Sequence, residues 1–342
     1  MRAAVFEEPK RIAVRNTGEL KPGKEQVLIQ VEACGVCGTD FHIFSGEAPA
    51  SMPVITGHEY AGIIVEAGSA VPELKPGDRI AVDPNIACGY CRYCREGRIN
   101  LCANLQALGV TLNGGFAQYS LVPFRQAYRI ASDVDPHRAA FAEPLSCCLH
   151  GIRNSGLRPG DSVVIAGAGT IGLLMLQLAR INGAQTVVVL EPSSYKRDMA
   201  LQLGADFALN PSDDDYTAVI ADVTGGGANV AIECAGNEPA ALSTFRVVRK
   251  GGTILLFGLS AKGDKISFNQ QSFFHNELTI KSSLLNPFTF QRAVDLINSG
   301  NIRTDLFNIS NVALSQDSFD LLFTGTKNET VIKYMVTPNS QG

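Results

Sequence analysis

The sequence predicts an α/β protein with two domains: a barrel-like domain of short strands and, inserted into it, a doubly wound parallel sheet. Residues 1 to about 130 contain β-branched runs separated by Gly and Pro turns, which is typical of a compact barrel. From about residue 150, short apolar runs alternate with helical patterns, which indicates βαβ units. Near the C-terminus this alternation stops and mixed strands return. We therefore assign residues 1–150 and 286–342 to the first domain and residues 151–285 to the second.

The composition excludes several classes of protein. The 342 residues suffice for two domains with hydrophobic cores, and 45% of them are hydrophobic. A formal net charge of −4 provides no overall attraction to nucleic acid or to anionic lipid. No apolar run reaches the roughly 18 residues of a membrane span, and the first residues, MRAAVFEEPK, lack the apolar segment of a signal peptide. We therefore expect a cytoplasmic protein without nucleic-acid or membrane partners.

A glycine-rich turn lies between the first strand and the first helix of the predicted parallel sheet. In SVVIAGAGTIGLL, Gly167, Gly169 and Gly172 follow the spacing G-x-G-x-x-G. The first glycine permits a tight turn, the second permits close approach of a pyrophosphate, and the third permits close packing of helix and strand. The helix N-terminus then offers N–H groups to the phosphates. The segment therefore predicts a dinucleotide site, in which we include Thr170 and Ile171.

The second strand of the predicted sheet ends in Glu191, about twenty residues after the glycines. A carboxylate at this position accepts hydrogen bonds from the ribose hydroxyls and repels a 2′-phosphate, which favours NAD over NADP. Lys196 would weaken that preference if it lies near the ribose; alternatively, it is a solvated lysine on a helix. We also assign Gly258 and Leu259, which follow the strand TILLFG, to the cofactor site.

Four cysteines lie within the short segment CGYCRYCREGRINLC. They have the spacing C-x2-C-x2-C-x7-C and are Cys88, Cys91, Cys94 and Cys102. Four thiolates in one short lobe form a closed tetrahedral site, which is typical of structural zinc. An iron–sulfur cluster is an alternative, but its usual signature has a proline where this chain has Ala103. A nucleic-acid zinc knuckle is another, supported locally by Arg92, Arg95 and Arg98 but opposed by the acidic net charge.

A second, more open set of metal ligands is spread along the first domain. Cys37 stands in CGVCGTDFH, His58 and Glu59 stand in TGHEYAG, and Glu143 stands in FAEPLSCCLHG. Cys37, His58 and one carboxylate supply three ligands and leave one position open, as in a catalytic zinc site. Each signal is weak alone, because a single histidine is more often an ordinary polar residue and Cys34 with Cys37 also fits a redox pair.

These motifs, in this order, resemble the zinc-dependent medium-chain dehydrogenase/reductase family, in particular its polyol branch, which is sorbitol dehydrogenase-like. The resemblance covers essentially the whole chain and is carried by CGVCGTDFH, GHEYAG, the four-cysteine segment, NGGFAQY, AEPLSCCLHG and AGAGTIG. It implies a GroES-like β-barrel catalytic domain with an inserted Rossmann domain, two zinc ions per chain, and NAD as the cofactor. We also expect a homodimer or a homotetramer.

The resemblance assigns roles to the second set of metal ligands. Cys37 matches the catalytic zinc ligand, and Cys34 is then an inert buried thiol rather than half of a redox pair. His58 matches a second ligand. Glu143 matches the third protein ligand, whose place a water or Glu59 can also take. We therefore expect Glu59 to be an exchangeable ligand or, alternatively, a partner in a salt bridge.

Three neighbouring residues are assigned to proton transfer and to support of the zinc site. Thr39 matches the hydroxyl that relays the substrate proton; otherwise it is a turn residue. Asp40 matches the acid that orients the zinc-bound His58; otherwise it caps a helix. His42 matches a histidine that passes the proton towards solvent in related enzymes.

The resemblance implies hydride transfer from a secondary alcohol of a polyol, sugar acid or vicinal diol to NAD, giving a ketone. The alternatives are oxidation of an amino alcohol, as by L-threonine 3-dehydrogenase, and a family member that has lost catalysis. The chain departs from sorbitol-type sequences after LTIK, where SSLLNP replaces an Arg–aromatic pair. Leu285 and Asn286 are the best match to that pair, and we expect Asn286 to meet a substrate hydroxyl.

Overall fold

The computed structural model describes residues 1–213, 215–326 and 328–339. The chain divides into two compact units, one formed by Met1–Ser146 with Asn286–Gly342 and the other by Cys147–Leu285. The first passage from one unit to the other lies within helix α4 (Ala142–Ser155). Among the described residues, no helix has both the length and the apolar character needed to cross a membrane.

The strands of the first unit are short, and many alternate buried and more exposed residues, because one face of each packs on the core. They are β1 (Arg2–Glu8), β2 (Arg11–Asn16), β3 (Gln26–Gly35), β4 (Val54–Ile55), β5 (Glu59–Ala67), β6 (Arg79–Val82), β7 (Asn85–Ile86), β8 (Gln106–Ala107), β9 (Tyr119–Pro123), β10 (Ala127–Arg129), β17 (Ile309–Val312) and β18 (Lys333–Val336). The main sheet has seven strands in the order β10-β6-β5-β3-β18-β17, with β9 also pairing with β3. Smaller sheets join β2-β1-β4 and β7-β8.

The helices of the first unit cover and connect these sheets. They are α1 (Gly38–Ser45), α2 (Arg92–Arg95), α3 (Pro136–Ala140), the first turn of α4, α10 (Phe290–Asn298) and α11 (Gln316–Thr324). Helix α10 shows why these segments are helical, since its buried residues Phe290, Ala293, Val294 and Ile297 recur at helical spacing on one face. Helix α1 begins immediately after Cys37 and therefore lies directly at the end of strand β3.

The second unit contains one six-stranded sheet in which every pairing is parallel, in the order β13-β12-β11-β14-β15-β16. Its elements are β11 (Ser162–Ala166), α5 (Thr170–Ile181), β12 (Thr186–Leu190), α6 (Ser194–Gln202), β13 (Phe207–Leu209), α7 (Tyr216–Thr224), β14 (Ala228–Glu233), α8 (Glu238–Val247), β15 (Val248–Leu256), α9 (Gln270–His275) and β16 (Thr279–Ser282). All five residues of β11 are buried, as expected for a central parallel strand covered on both faces. The predicted α/β fold, with a strand-rich part interrupted by a doubly wound parallel sheet, is confirmed.

Candidate active site

Cys37, His58 and Glu59 come together at one end of the main sheet of the first unit. Strands β3 and β5 are antiparallel and pair Gly35 with Glu59, so the residues after β3 lie beside the start of β5. The ligand atoms of Cys37, His58 and Glu59 all lie within 4.8 Å of one another. His58 and Glu59 are buried and Cys37 is half-buried. The strand register, rather than any local motif, assembles this group.

The donor atoms of this group fit a zinc ion. A thiol, an imidazole and a carboxylate are the ligand types that zinc takes in proteins. His58 Nδ1 is buried, and the described residues offer it no hydrogen-bond partner. A buried polar nitrogen without a hydrogen-bond partner is unfavourable. A metal ion bound to one ring nitrogen fixes the proton on the other nitrogen and so determines which hydrogen bonds the ring makes. Three protein donors leave a fourth position open, which is the arrangement of a catalytic zinc site.

Asp40 is fully buried beside this group and ties its two chain segments together. Its carboxylate accepts hydrogen bonds from the backbone N–H groups of Cys37 (2.8 Å) and Gly57 (3.3 Å). Asp40 Oδ1 lies 3.8 Å from His58 Nδ1, which is beyond a hydrogen bond. Burial raises the pKa of Asp40, and the charge of His58 and the N–H of Cys37 oppose that rise. Asp40 therefore caps helix α1 and lies in position to face the His58 ring.

Glu59 forms a buried ion pair with Lys333. Lys333 lies on β18, which pairs with the end of β3, and only 5% of its surface is exposed. A side chain on Gly35 would collide with both partners of the pair, so the glycine makes room for it. Glu59 therefore forms the salt bridge that the sequence offered as the alternative to metal binding. Its role as an exchangeable zinc ligand stays a prediction. Sequence reasoning missed Lys333, whose only signal is a single charge within the apolar strand KYMV.

Glu143 lies in the first turn of α4 and is buried. Its charge acts on His58 and on Lys333, where it contributes to raising the pKa of each group. Its carboxylate lies outside the close group of Cys37, His58 and Glu59. The structure therefore places Glu143 in the neighbourhood of the candidate metal centre, and its role as a third ligand stays a prediction.

Thr39 and His42 lie on helix α1, which starts at the candidate metal centre. Thr39 Oγ1 is 3.7 Å from the Cys37 sulfur. His42 is three residues further along the helix, and its Nδ1 is 2.7 Å from Glu47 Oε2. Both residues are half-buried.

The four cysteines of the 88–102 segment also meet. Their sulfur atoms lie within 4.8 Å of one another, with Cys91 3.5 Å from Cys94 and 4.0 Å from Cys102. None of the four is part of a disulfide, although their sulfurs lie close together. An S₄ donor set without an open position fits structural zinc. Of the nearby arginines, Arg92 forms an ion pair with Glu96.

The three glycines of the dinucleotide motif occupy the turn between β11 and α5. Gly167 has a φ of 102°, a conformation that side chains disfavour. A Cβ on Gly169, the N-cap of α5, would meet no protein atom within 4 Å, so space is open beside the helix N-terminus. A Cβ on Gly172 would collide with the Gly167 carbonyl oxygen. Thr170 and Ile171 are the first residues of α5. This open space at a helix N-terminus fits a pyrophosphate.

These glycines allow a matched pair of substitutions. We expect Gly169→Ala to fold like the wild type but to bind NADH about 10- to 100-fold more weakly. The added methyl keeps the pyrophosphate away from an N–H group of the helix N-terminus, and a hydrogen bond to a charged group contributes about 1.5–3 kcal/mol. Gly172→Ala should instead lower the free energy of unfolding by about 1–3 kcal/mol, since the added methyl overpacks the turn. Thermal melts and NADH fluorescence titrations separate the two effects. Unchanged NADH affinity in Gly169→Ala would contradict the assignment.

Glu191 follows β12, the strand next to β11, and holds the glycine turn. Its carboxylate accepts hydrogen bonds from the N–H groups of Ala168 (2.8 Å) and Ser193 (3.0 Å). Each carboxylate oxygen has two lone pairs, so both can still accept from ribose hydroxyls. Lys196 is half-buried on α6. Its neighbour Arg197, which sequence reasoning missed, donates to the Glu191 carbonyl at 2.8 Å and so lies against the segment that follows β12.

A second buried carboxylate, Glu233 at the end of β14, organises the remaining predicted cofactor residues. It accepts hydrogen bonds from the N–H groups of Ala235 and Gly236 at 2.6 Å and of Gly258 at 3.2 Å. Burial raises the pKa of Glu233 despite these donors. Leu259 follows Gly258 and is 64% exposed. Sequence reasoning missed Glu233. Its signal is a carboxylate at the end of the apolar run of β14, similar to Glu191, which follows the apolar run of β12.

The structure shows that Asn286 has partners within the first unit, and its contact with a substrate hydroxyl stays a prediction. Asn286 is buried, and its amide nitrogen donates to Asp83 (3.1 Å) and Ser146 (2.9 Å). Its amide oxygen accepts from Asn85 at 2.9 Å. Both N–H groups and the oxygen are therefore engaged within the first unit. The reason is long-range packing, which a comparison of short segments does not reveal.

The chain matches two protein families and several known dehydrogenases. Residues 23–132 match the family described as Alcohol dehydrogenase GroES-like domain, and residues 170–299 match the family described as Zinc-binding dehydrogenase. The D-arabinitol dehydrogenase 1 of Uromyces fabae is 33% identical over 345 residues, covering 99% of this chain and 97% of the relative. The L-threonine 3-dehydrogenase of Thermococcus kodakarensis is 38% identical over 259 residues, covering 74% of each chain. A sorbitol dehydrogenase and an L-galactonate-5-dehydrogenase are also among the relatives.

Among solved structures, a zinc-binding dehydrogenase of Sinorhizobium meliloti 1021 with NADP bound superimposes with a TM-score of 0.93. It is 42% identical, and the match covers 98% of this chain and 99% of that one. The fold and the two ligand groups define a zinc-dependent alcohol dehydrogenase of the medium-chain type. The chain belongs to the zinc-binding alcohol dehydrogenase family with a GroES-like domain. The predictions of this family, of its fold and of a dehydrogenase activity are confirmed.

Proposed function

We propose that the protein oxidises a secondary alcohol of a polyol, sugar acid or vicinal diol to a ketone, with NAD as the hydride acceptor. The observation that carries the proposal is the buried group of Cys37, His58 and Glu59, which offers three donors and an open position. The names of the arabinitol, sorbitol and galactonate relatives support this substrate class. Residues 1–150 and 286–342 then form the catalytic domain, and residues 151–285 form the NAD-binding domain.

In this proposal the two zinc ions have different tasks. Cys88, Cys91, Cys94 and Cys102 hold a structural ion. Cys37 and His58 hold the catalytic ion, with Glu143, Glu59 or a water completing its shell. A zinc ion held there would supply Lewis acidity, which favours loss of the proton of the substrate alcohol. The paired Lys333 keeps Glu59 ionised and oriented in the apolar interior, so that the carboxylate is available on the metal side.

The remaining residues of the first unit move the proton and hold the ligands. The Thr39 hydroxyl accepts the proton of the substrate alcohol and donates its own towards His42, which passes a proton to solvent. Asp40 keeps the Cys37 and His58 segments together through the Cys37 and Gly57 N–H groups, and it faces the His58 ring. At 3.8 Å from Nδ1 the carboxylate acts on the ring through its negative charge, and the other ring nitrogen stays free to bind a metal.

The preference for NAD rests on Glu191. Its negative charge repels a 2′-phosphate, while Lys196 and Arg197 provide positive charge nearby. We expect the wild type to prefer NAD. Glu191→Ser should reduce the ratio of kcat/KM for NAD to kcat/KM for NADP by about 10-fold or more, because the hydrogen bonds to the ribose hydroxyls and the repulsion of the 2′-phosphate are lost together. Initial rates with both cofactors measure the ratio. Preference for NADP in the wild type, the cofactor bound in the Sinorhizobium structure, would show that the basic residues dominate.

A panel of alcohols tests the substrate class. We expect kcat/KM with NAD for the best polyhydroxy substrate to exceed that for ethanol by at least about tenfold, because a site that binds hydroxyls can reject analogues lacking them by as much as ~10⁴-fold. The panel contains sorbitol, xylitol, arabinitol, 2,3-butanediol, sugar acids, L-threonine, ethanol and 1-propanol, each with zinc-loaded protein. Ethanol as the best substrate would end the proposal.

L-Threonine is included because a second activity has specific support. The threonine dehydrogenase of Thermococcus kodakarensis is 38% identical to this chain, more than the arabinitol relative, although over a shorter stretch. An activity with L-threonine alone would assign the protein to amino alcohol oxidation. In both cases the metal ligands and the cofactor residues keep the same roles.

We propose a homodimer or homotetramer in a reducing, cytoplasmic compartment. Among the described strands of the parallel sheet, β13 and β16 are the two edges, and an edge strand carries backbone groups that can pair with a second copy. Cys88, Cys91, Cys94 and Cys102 must stay reduced to hold a zinc ion, which suits a reducing compartment. Light scattering of the purified protein measures the assembly, and a monomer at all concentrations would contradict it.

A further inference from the structure

At the end of helix α1, Glu47 contacts His42 through both its backbone and its side chain. Gly46, with a φ of 84°, turns the chain back on the helix. The Glu47 backbone N–H then donates to the His42 carbonyl at 2.8 Å. The Glu47 carboxylate oxygen Oε2 lies 2.7 Å from His42 Nδ1. The turn therefore places this carboxylate on one particular nitrogen of the ring.

This carboxylate is poorly placed for stability. The C-terminus of a helix carries a partial negative charge, which favours cations and disfavours carboxylates. The Glu47 side chain is 42% exposed and that of His42 23% exposed, and exposed pairs contribute little to the free energy of folding. The contact is therefore not explained by the free energy of folding.

The pair lies at the outer end of a line of polar groups from the candidate metal centre. The Cys37 sulfur is 3.7 Å from the Thr39 hydroxyl. Thr39 and His42 are three residues apart on α1 and so lie on neighbouring positions of one helix face. Cys37, Thr39 and His42 are half-buried, whereas Glu47 is exposed. Along α1 these groups therefore run from a candidate zinc ligand, Cys37, to an exposed carboxylate, Glu47.

We propose that Glu47 is a positioning residue for proton release, an inference that rests on the proposed function and on the relay through His42. By accepting from Nδ1–H, the carboxylate keeps the neutral ring in the tautomer whose Nε2 has a free lone pair. Nε2 then takes the proton that the Thr39 hydroxyl passes on from the alcohol. The ring returns that proton to solvent water, so Glu47 and His42 are unchanged after each turnover.

Glu47→Gln tests the proposal because it keeps the size of the side chain and the backbone contact, while an amide can bind either tautomer. In weak buffer we expect kcat to fall about 10-fold, a fraction of the 10²–10⁴-fold contribution of general acid–base catalysis. KM and the Kd for NADH should not change. Added imidazole should restore kcat, because it carries the proton in place of the relay. Glu8→Gln, which changes an exposed glutamate paired with Arg11, is the matched control.

Nitrogen NMR of the histidine ring provides a readout that does not depend on turnover. The chain has five histidines, and His42→Gln identifies the signal. We expect a single tautomer protonated at Nδ1 in the wild type and a mixture in Glu47→Gln. A wild type without activity on any alcohol would refute the proposed function, whereas the tautomer measurement would still test Glu47. Unchanged kcat in weak buffer, a loss that imidazole does not restore, or an unchanged tautomer would each overturn the inference.

Discussion

Replacing Cys37 by serine should abolish alcohol oxidation while the protein stays folded. A catalytic zinc ion contributes several kcal/mol to transition-state stabilisation, so kcat/KM should fall by at least about 10³-fold at 1.36 kcal/mol per tenfold. The fold should survive because Cys37 is half-buried and its backbone N–H keeps its bond to Asp40. Metal analysis should give one zinc per chain instead of two, and steady-state kinetics should give the loss of activity.

The neighbouring thiol offers a matched control. Cys34 is three residues earlier and fully buried in the hydrophobic core, outside the group of metal ligands. Cys34→Ala should retain both zinc ions and the wild-type kcat, at a modest loss in the free energy of unfolding. Two zinc ions and full activity in Cys37→Ser would show that this cysteine is not a ligand. A loss of zinc in both variants would instead indicate that Cys34 is also needed to hold the ion.

Replacing Cys91 by serine should have its main effect on stability. The lobe around the four cysteines has almost no hydrophobic core, since none of the residues of α2 is buried and Tyr90 and Tyr93 are 64% and 40% exposed. Structural zinc supplies about 10–16 kcal/mol of apparent binding energy in zinc-finger peptides, so even partial loss should lower the free energy of unfolding by about 3 kcal/mol or more. For a domain of this size that lowers Tm by about 6–12 °C.

The control for Cys91 is a cysteine outside both ligand groups. Cys147 is half-buried, and Cys147→Ser should keep two zinc ions and a Tm close to that of the wild type. Calorimetry and metal analysis of both variants separate loss of zinc from loss of a thiol. A Cys91→Ser protein with two zinc ions and an unchanged Tm would rule out the structural site. If the folded molecules of Cys91→Ser keep their activity, this would agree with a structural role, because the structural ion has no open position for substrate.

The features that could be predicted from the sequence are those whose partners are close in the chain. The glycines of the dinucleotide turn act within six residues, and each has a steric reason that holds for any strand–turn–helix unit. The four thiols of the cysteine lobe lie within fifteen residues, so a short loop can gather them without help from the rest of the fold. The alternation of apolar runs and helical patterns is likewise local and predicts the parallel sheet.

Only the tertiary structure determined which distant side chains meet. Glu59 pairs with Lys333 because β5 and β18 lie on either side of β3, and Asn286 bonds to Asp83 and Ser146 from far along the chain. These contacts decided that Glu59 has a salt bridge and that Asn286 is engaged within the protein. A strand register or a buried polar network depends on the summed packing of a whole domain, and no spacing within a short segment specifies it.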